Sequence, residues 1–184
     1  MDEAPSLAPS LLLSMPQMND PNFERTVVLL CQHSTDGAFG LVVNRPVVTT
    51  AKVVAAEHPE RSAEHELEIW IGGPVEPERS WILLHDSAPD GHAVRVCDGV
   101  FLSTSAGVLQ QIIDHSADPR TKLIAGYAGW GPGQLDAEIA ASAWLTVSIE
   151  AELLFDTPAD RMWESAIRKL GANPGTLQTG QGVH

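Results

Sequence analysis

The sequence predicts a single α/β domain whose mixed β-sheet contains an early antiparallel hairpin and is flanked by helices. Three observations lead to this prediction. The chain has 184 residues, of which 43% are hydrophobic, enough for one domain with a sizeable core. Strand-like segments come first along the chain, and helical and strand-like segments alternate after them. No internal repeat and no linker divides the sequence.

The first third of the chain predicts the hairpin. A short apolar run, LLLSM, at residues 11–15 precedes a turn-rich segment. Residues 26–33, TVVLLCQH, are rich in β-branched side chains and predict a buried strand. A turn centred on Asp36 and Gly37 leads to a returning strand at residues 40–46, which Pro46 ends.

The middle third predicts one short helix and then strands. Leu67, Ile69 and Ile71 alternate with polar or amphipathic residues, which is typical of a strand. The segment GGPVEPER, from Gly72 onward, predicts a turn. The predicted elements are a short helix at residues 51–56, strands at residues 66–73 and 80–86, and two short strands around a turn at Asp98 and Gly99.

The last third alternates helices with strands. Ser103 or Thr104 can cap a helix that ends near His115. The final helix has Thr157 at its N-cap, Pro158 as its first residue, and ends before Gly171. Between them the sequence predicts a strand at residues 122–129, a helix opened by Pro132, a strand at residues 143–150 and a helical turn at residues 151–155. We therefore expect a flexible tail at residues 1–10, one domain at residues 11–171 and a frayed tail at residues 172–184.

Charge and composition narrow the class of protein. The formal net charge is -13 and the pI is about 4.7, which disfavours direct binding to nucleic acid. No apolar run approaches the ~20 residues of a membrane helix, and the N-terminal segment lacks the basic start of a signal peptide. Cys31 and Cys97 each lie in or beside an apolar run and are expected to be free thiols, so we expect a cytoplasmic protein.

The stretch AGYAGWGPGQLDAEIA, residues 125–140, places a glycine-rich loop between a strand and a helix. Gly129, Gly131 and Gly133 resemble a phosphate-binding loop, but a dinucleotide fingerprint needs a third glycine where Gln134 stands. A proline and a tryptophan in the loop also weaken a nucleotide site. The alternative is a tight turn that lets Tyr127 and Trp130 cover the end of the sheet.

A second candidate is the polar segment NDPNFER, which precedes the first hairpin strand. Its structural interpretation is loop capping together with an ion pair of Arg25. Its functional interpretation is an anion site, because the hairpin could bring Asn22 and Arg25 close to Asn44 and Arg45, and arginines bind carboxylates and phosphates.

The sequence contains no motif for metal binding or for nucleophilic catalysis. The seven histidines show no metal-ligand spacing, and no serine lies in a nucleophile motif. We predict no catalytic residue, no metal and no cofactor.

Six stretches of the sequence resemble the YqgE/AlgH family of bacterial proteins. In order, from about residue 11 to residue 171, they are MPQMNDPNFERTVVLL, GAFGLVVNRP, IGGPVEPER, LSTSAGVLQQI, AGYAGWGPGQLDAEI and LFDTPADRMWESAIRKLG. The resemblance implies the AlgH-like α/β fold and a soluble cytoplasmic protein. Members of this largely uncharacterised family are often labelled transcriptional regulators, because one member was linked to control of alginate production.

Two hypotheses of function follow. The first is a regulatory or binding protein that acts through a protein partner or a small anionic ligand. Its predicted groove is lined by Asn22, Arg25, Asn44, Arg45, Gly72, Gly73, Tyr127, Trp130 and Gln134. The alternative is an enzyme for a small phosphorylated or acyl substrate, with Asp20, Glu24, His33 or Asp136 as acid or base.

Overall fold

The computed structural model describes residues 5–55, 58–86, 91–115 and 119–175. These residues form ten strands and four helices. The strands are β1 (Ser10–Ser14), β2 (Val27–Ser34), β3 (Gly37–Val42), β4 (Pro46–Ala55), β5 (His58–Ile71), β6 (Val75–His85), β7 (Val94–Cys97), β8 (Val100–Ser103), β9 (Thr121–Trp130) and β10 (Trp144–Val147). The helices are α1 (Ala106–His115), α2 (Gln134–Ala140), α3 (Ala151–Phe155) and α4 (Ala159–Lys169). In this part of the chain, no helix is long and apolar enough to cross a membrane.

The ten strands form one mixed sheet in which β9 is the central strand. The order along the main path is β10-β1-β2-β3-β9-β6-β8-β7. β9 pairs with β6 along one edge, and along its other edge it pairs first with β5 and then with β3. Among the pairings of the described strands, β5 with β9 is parallel and the others are antiparallel. β9 therefore joins the two halves of the sheet.

Apolar side chains fill both faces of the sheet. Leu11 and Leu13 of β1 point into a main core that α3 and α4 cover, with Met162 and Trp163 fully or almost fully buried. Leu12 points to the opposite face, into a second core that α2 covers. α1 covers a third cluster of apolar side chains beside β6. This alternation is what a strand of period two produces when both of its faces are buried.

Three glycines allow the backbone of β9 to approach the end of β5 closely. The Gly72 N–H donates to the carbonyl oxygen of Ala125 at 2.8 Å, and the Gly72 carbonyl accepts from the Val42 N–H at 2.8 Å. A Cβ on Gly73 would lie 2.2 Å from the Tyr127 carbonyl group, and one on Gly126 would lie 2.5 Å from the Gly73 oxygen. Only glycine fits at such a backbone crossing.

Gly126 also reverses the direction in which β9 side chains point. Its φ is +73°, in the left-handed region. Before it, Ile124 points into the main core; after it, Tyr127 packs on that core while Ala128 and Trp130 point into the α2 core. A single residue outside the regular pleat shifts the two-residue period by one.

The single domain, the mixed sheet and the flanking helices are confirmed, as are most of the predicted elements. The exception is the helix at residues 51–56, which is wrong: the backbone of Ala51–Ala55 belongs to β4 and pairs with β5, and residue 56 lies outside the described ranges. The local signal for a helix was short, and pairing with a long neighbouring strand overrides it.

Several predicted boundaries also move. The hairpin turn lies one residue earlier than predicted, because Ser34 pairs with Gly37 and accepts a bond from the Asp36 N–H. β3 ends at Val42, so Pro46 begins β4 instead of ending the hairpin. β6 begins inside the predicted GGPVEPER turn, with an irregularity in its pairing to β9 between Val75 and Ser80.

Two predicted helix caps are replaced by neighbouring residues. Ser105, and not Ser103 or Thr104, accepts the bond from the Val108 N–H at the start of α1. The N-cap of α4 is Pro158, while the Thr157 hydroxyl donates to the Glu152 carbonyl oxygen at 3.4 Å. Helix ends depend on the path of the incoming chain, which local sequence only partly specifies.

The backbone crossing at β9 makes a test with a matched control possible. We expect Gly126→Ala to lower the free energy of unfolding by about 3 kcal/mol or more, because it adds both left-handed strain and a clash. Gly133 has a similar φ of +70° but open space around its Cβ position. Gly133→Ala should lower the free energy of unfolding by only about 1 kcal/mol. Urea denaturation of both variants checks this, and equal losses would contradict the importance of the crossing.

Candidate functional site

Asn44 and Arg45 hold the NDPNFER loop to the start of β2. The Asn44 side chain accepts from the Val27 N–H and donates to the Arg25 carbonyl oxygen, both at 2.9 Å. The Arg45 guanidinium donates to the carbonyl oxygens of Pro21 and Glu24, both at 2.9 Å. These side chains satisfy backbone groups that have no partner in the sheet, which is a structural role.

Arg25 itself turns toward α4. Its guanidinium pairs with the Glu164 carboxylate at 3.2 Å and lies 5.0 Å from the centre of the Trp163 ring. Asn22 is exposed, and its backbone N–H donates to the Asp20 carboxylate at 2.9 Å. The segment therefore has the contacts of the structural interpretation, namely loop capping and an arginine ion pair.

The glycine-rich loop after β9 is a tight turn held by side chains of α2. Trp130 and Trp144 both donate their indole N–H to one oxygen of Glu138, at 3.0 and 2.8 Å. Gln134 bonds to the other oxygen of Glu138 and accepts from the Gly131 N–H. Trp130 is thus a buried part of the α2 core, with its polar end satisfied.

Tyr127 lies on the opposite face of β9 from Trp130. Its ring packs beside Phe39 and Trp81, with ring centres 5.2 and 6.3 Å away. A hydrogen bond to the Glu76 carboxylate raises the pKa of the Tyr127 hydroxyl. Because Gly126 reverses the side-chain direction, the two aromatic residues do not cover the same face of the sheet.

The nine predicted site residues therefore fall into separate groups. Asn22 lies in the loop before β2, and Asn44 and Arg45, between β3 and β4, bond to that loop. Arg25 packs on α4, Gly72 and Gly73 press against β9, and Tyr127 contacts the main core. Trp130, at the end of β9, and Gln134, at the start of α2, lie on the α2 side. The structure does not bring these residues together in one groove.

Three of the residues named for the enzymatic alternative, Asp20, His33 and Asp136, make structural bonds through their side chains. His33 accepts from the Leu7 N–H through Nδ1 at 3.2 Å, and its Nε2 lies 3.1 Å from the Asp136 carboxylate. With Nδ1 as acceptor, Nε2 carries the proton and donates to Asp136. Both ring nitrogens are engaged, so this histidine lacks the open nitrogen that a general base needs. It joins α2 to residues 6–8, which the sequence assigned to a flexible tail.

The cysteines do not favour nucleophilic chemistry, because only the thiolate reacts readily. Both are free thiols, as expected. Burial raises the pKa of Cys31 to about 12, and burial likewise raises the pKa of Cys97. Across the described residues, no group of three acidic, histidine or cysteine side chains could hold a metal ion.

A cleft that the sequence did not reveal lies at the other end of β9. Its volume is about 410 Å³. Glu68 and Trp70 of β5 line it together with Lys122 of β9, and Phe155 and residues 157–160 close it from the side of α3 and α4. The first turn of α4 faces this cleft, and a helix N-terminus favours negative charge.

Lys122 is the one buried charged side chain among the residues that the structure describes, with 4% of its surface exposed. Its ammonium donates to the Val43 carbonyl oxygen at 3.2 Å and lies 3.8 Å from the centre of the Trp70 ring. No ion pair in the described part of the chain includes it. Burial lowers its pKa to about 8, and attraction to the negative charge of Glu68 partly opposes this shift.

One sequence signal could have pointed to this residue. In the stretch TKLIAGYAGW, Lys122 lies two residues before the apolar Ile124. Residues two apart in a strand lie on the same face, and Ile124 is buried. A lysine at an inward position of a central strand is rare unless it has a role. The other cleft residues come from distant segments, and no local pattern connects them.

The fold matches solved structures over the whole chain. The solution structure of the AlgH protein from Pseudomonas aeruginosa is similar with a TM-score of 0.74 and 33% identity, covering 100% of this chain and 98% of that one. A crystal structure of a Corynebacterium diphtheriae protein, DIP2367, shares the fold with a TM-score of 0.69 at 19% identity, covering 100% of this chain and 95% of that one.

Sequence relatives cover nearly the same length. A UPF0301 protein from Myxococcus xanthus is 39% identical over 97% of this chain and 99% of its own, and one from Pseudomonas fluorescens is 41% identical over 94% and 93%. The family model described as AlgH-like, DUF179, matches residues 11–175. The chain belongs to the AlgH-like family. Its relatives carry family labels that name no molecular activity.

The loop contacts predict that replacing Asn44 by alanine destabilises the protein more than replacing Arg25. Asn44→Ala removes the partners of two backbone groups and should lower the free energy of unfolding by about 2 kcal/mol. Arg25→Ala removes a pair that is largely exposed and should cost about 1 kcal/mol or less. Urea denaturation measures both. A loss at Arg25 as large as that at Asn44 would contradict this assignment of roles.

Proposed function

We propose that this protein is a non-enzymatic binding protein whose ligand is a small anion held in the Lys122 cleft. The observation that carries the proposal is a buried ammonium group at the wall of an open cleft, with no ion-pair partner among the residues that the structure describes. Burying an unpaired charge costs free energy, and the lowered pKa of Lys122 reflects this cost. An anion in the cleft would compensate the charge.

The walls of the cleft limit the size and charge of this ligand. Trp70 and Phe155 offer apolar surface, while the carboxylates of Glu68 and Asp160 also line the space. These two negative charges oppose a highly charged ligand such as a nucleotide. A monocarboxylate with a short apolar part suits the combination best, with its charge near Lys122 and the first turn of α4.

A regulatory role would follow if the bound ligand alters contacts with a partner protein. Direct contact with nucleic acid is disfavoured by the net charge of -13, so regulation of transcription would be indirect. We place the protein in the bacterial cytoplasm; the two free thiols support this, because cysteines remain reduced there.

The first test is a thermal-shift screen of small carboxylates, inorganic phosphate and nucleotides at pH 7. We expect a monocarboxylate to stabilise the wild type, by about 2.7 kcal/mol at one hundred times its Kd. Lys122→Met should abolish this effect, whereas Arg25→Ala, in the groove predicted from sequence, should retain it. Stabilisation that survives in Lys122→Met would refute the Lys122 cleft as the binding site. If no carboxylate stabilises the wild type, the proposal fails and a protein partner is favoured.

The same cleft predicts a dependence of anion affinity on pH. A bound anion favours the charged form of Lys122 and so raises its pKa above the value of about 8 in the free protein. Affinity should therefore be constant below pH 8 and fall about tenfold per pH unit above it. Isothermal titration calorimetry at pH 7, 8 and 9 checks this. An affinity that does not change over this range would count against Lys122 as the binding group.

Replacing Lys122 should also reveal the cost of its burial. At pH 7, Lys122→Met should be as stable as the wild type or more stable, because an apolar side chain replaces an unpaired buried charge. Above pH 8 the folded wild type loses this proton before the unfolded chain does, since the pKa is about 8 against the ordinary 10.5. The free energy of unfolding of the wild type should then rise relative to that of the variant by up to about 1.4 kcal/mol per pH unit. Urea denaturation at pH 7 and 9.5 measures this difference.

A further inference from the structure

We infer that the Lys122 amine forms a reversible imine with a small 2-oxo acid bound in its cleft. This inference rests on the proposed anion site, which would hold the carboxylate of the same molecule. The chemistry requires an amine that is accessible from the cleft, partly neutral, and close to groups that carry protons.

The surroundings of Lys122 favour such a reaction. Its side chain lines the cleft, and the contacts with Val43 and Trp70 hold its amine in one place. A volume of about 410 Å³ accommodates a compound of a few heavy atoms beside the Trp70 ring. Trp70 lies in β5 with its register fixed opposite Ile124, two residues from Lys122. The nucleophile is therefore carried by the central strand of the sheet, and Val43, directly after β3, accepts its hydrogen bond.

The protonation state of the amine also suits the reaction. In the free protein the pKa of Lys122 is about 8, so about a tenth of it is neutral at pH 7, and a bound carboxylate lowers this fraction. A lysine with the ordinary pKa of 10.5 is neutral in less than about one molecule in a thousand at this pH. The carboxylates of Glu68 and Asp160, which can accept hydrogen bonds from the reacting groups, line the same cleft.

The reaction balances without an oxidant or a reductant. The lone pair of the neutral amine attacks the ketone carbon, a C–N bond forms, and the electron pair of the C=O bond moves to oxygen. A proton passes from nitrogen to oxygen, which gives a carbinolamine. The hydroxyl group then takes a proton from solvent and leaves as water, and the nitrogen lone pair forms the C=N bond of a protonated imine, which returns a proton to solvent when it becomes neutral. When protonated, the imine keeps one N–H, which can still donate to the Val43 carbonyl.

The test uses the whole protein with pyruvate and sodium cyanoborohydride at pH 7.5, followed by intact mass and peptide mapping. The chain has three lysines, so Lys52 and Lys169 act as internal controls. Lys169 is well exposed and pairs with Glu150. We expect Lys122 to acquire the reduced pyruvate adduct at least about tenfold faster than Lys169. Equal rates at the two lysines, or no adduct at Lys122, would overturn the inference.

A matched variant separates this inference from the anion site on which it rests. Lys122→Arg keeps the positive charge but cannot form an imine, so it should still be stabilised by acetate and should give no adduct at position 122. If acetate and pyruvate stabilise the wild type but Lys122 gives no adduct, the imine is wrong and the anion site stands. If neither carboxylate stabilises the wild type, the anion site and the inference both fail.

Discussion

The close approach of two backbones at Gly72, Gly73 and Gly126 is the constraint on which the rest of this structure depends. It brings the end of β5 against the middle of β9, at the point where β3 replaces β5 along the same edge. Side chains at these positions would separate the strands. Glycine at these positions therefore allows β5 and β3 to follow one another along the same edge of β9.

The same crossing explains why one strand serves two different purposes. On one side of Gly126, β9 presents Ile124 to the main core and Lys122 to the cleft. On the other side, Trp130 fills the α2 core and shares Glu138 with Trp144. The part of β9 that holds the cleft is thus separated from the part that holds α2, and each has its own set of partners.

The most recognisable stretches of the sequence make structural contacts. Asn44 and Arg45 satisfy the carbonyl and amide groups of an irregular loop, and the glycine-rich turn allows Trp130 to cap the α2 core. Polar residues that replace missing backbone partners are difficult to substitute, and this accounts for motifs that resemble a binding site. The candidate site lies instead at Lys122, a residue in an otherwise apolar strand that no motif distinguishes.

The sequence alone determined the class of fold, the family and most strands and helices, because periodicity, turn residues and caps act over a few neighbouring residues. It could not determine which side chains share a face of β9, because one left-handed residue shifts the period. Nor could it place Lys122 beside Trp70, since this contact depends on the register between distant strands. The tertiary structure alone decided the cleft, because burial of a charge depends on segments that lie far apart in the chain.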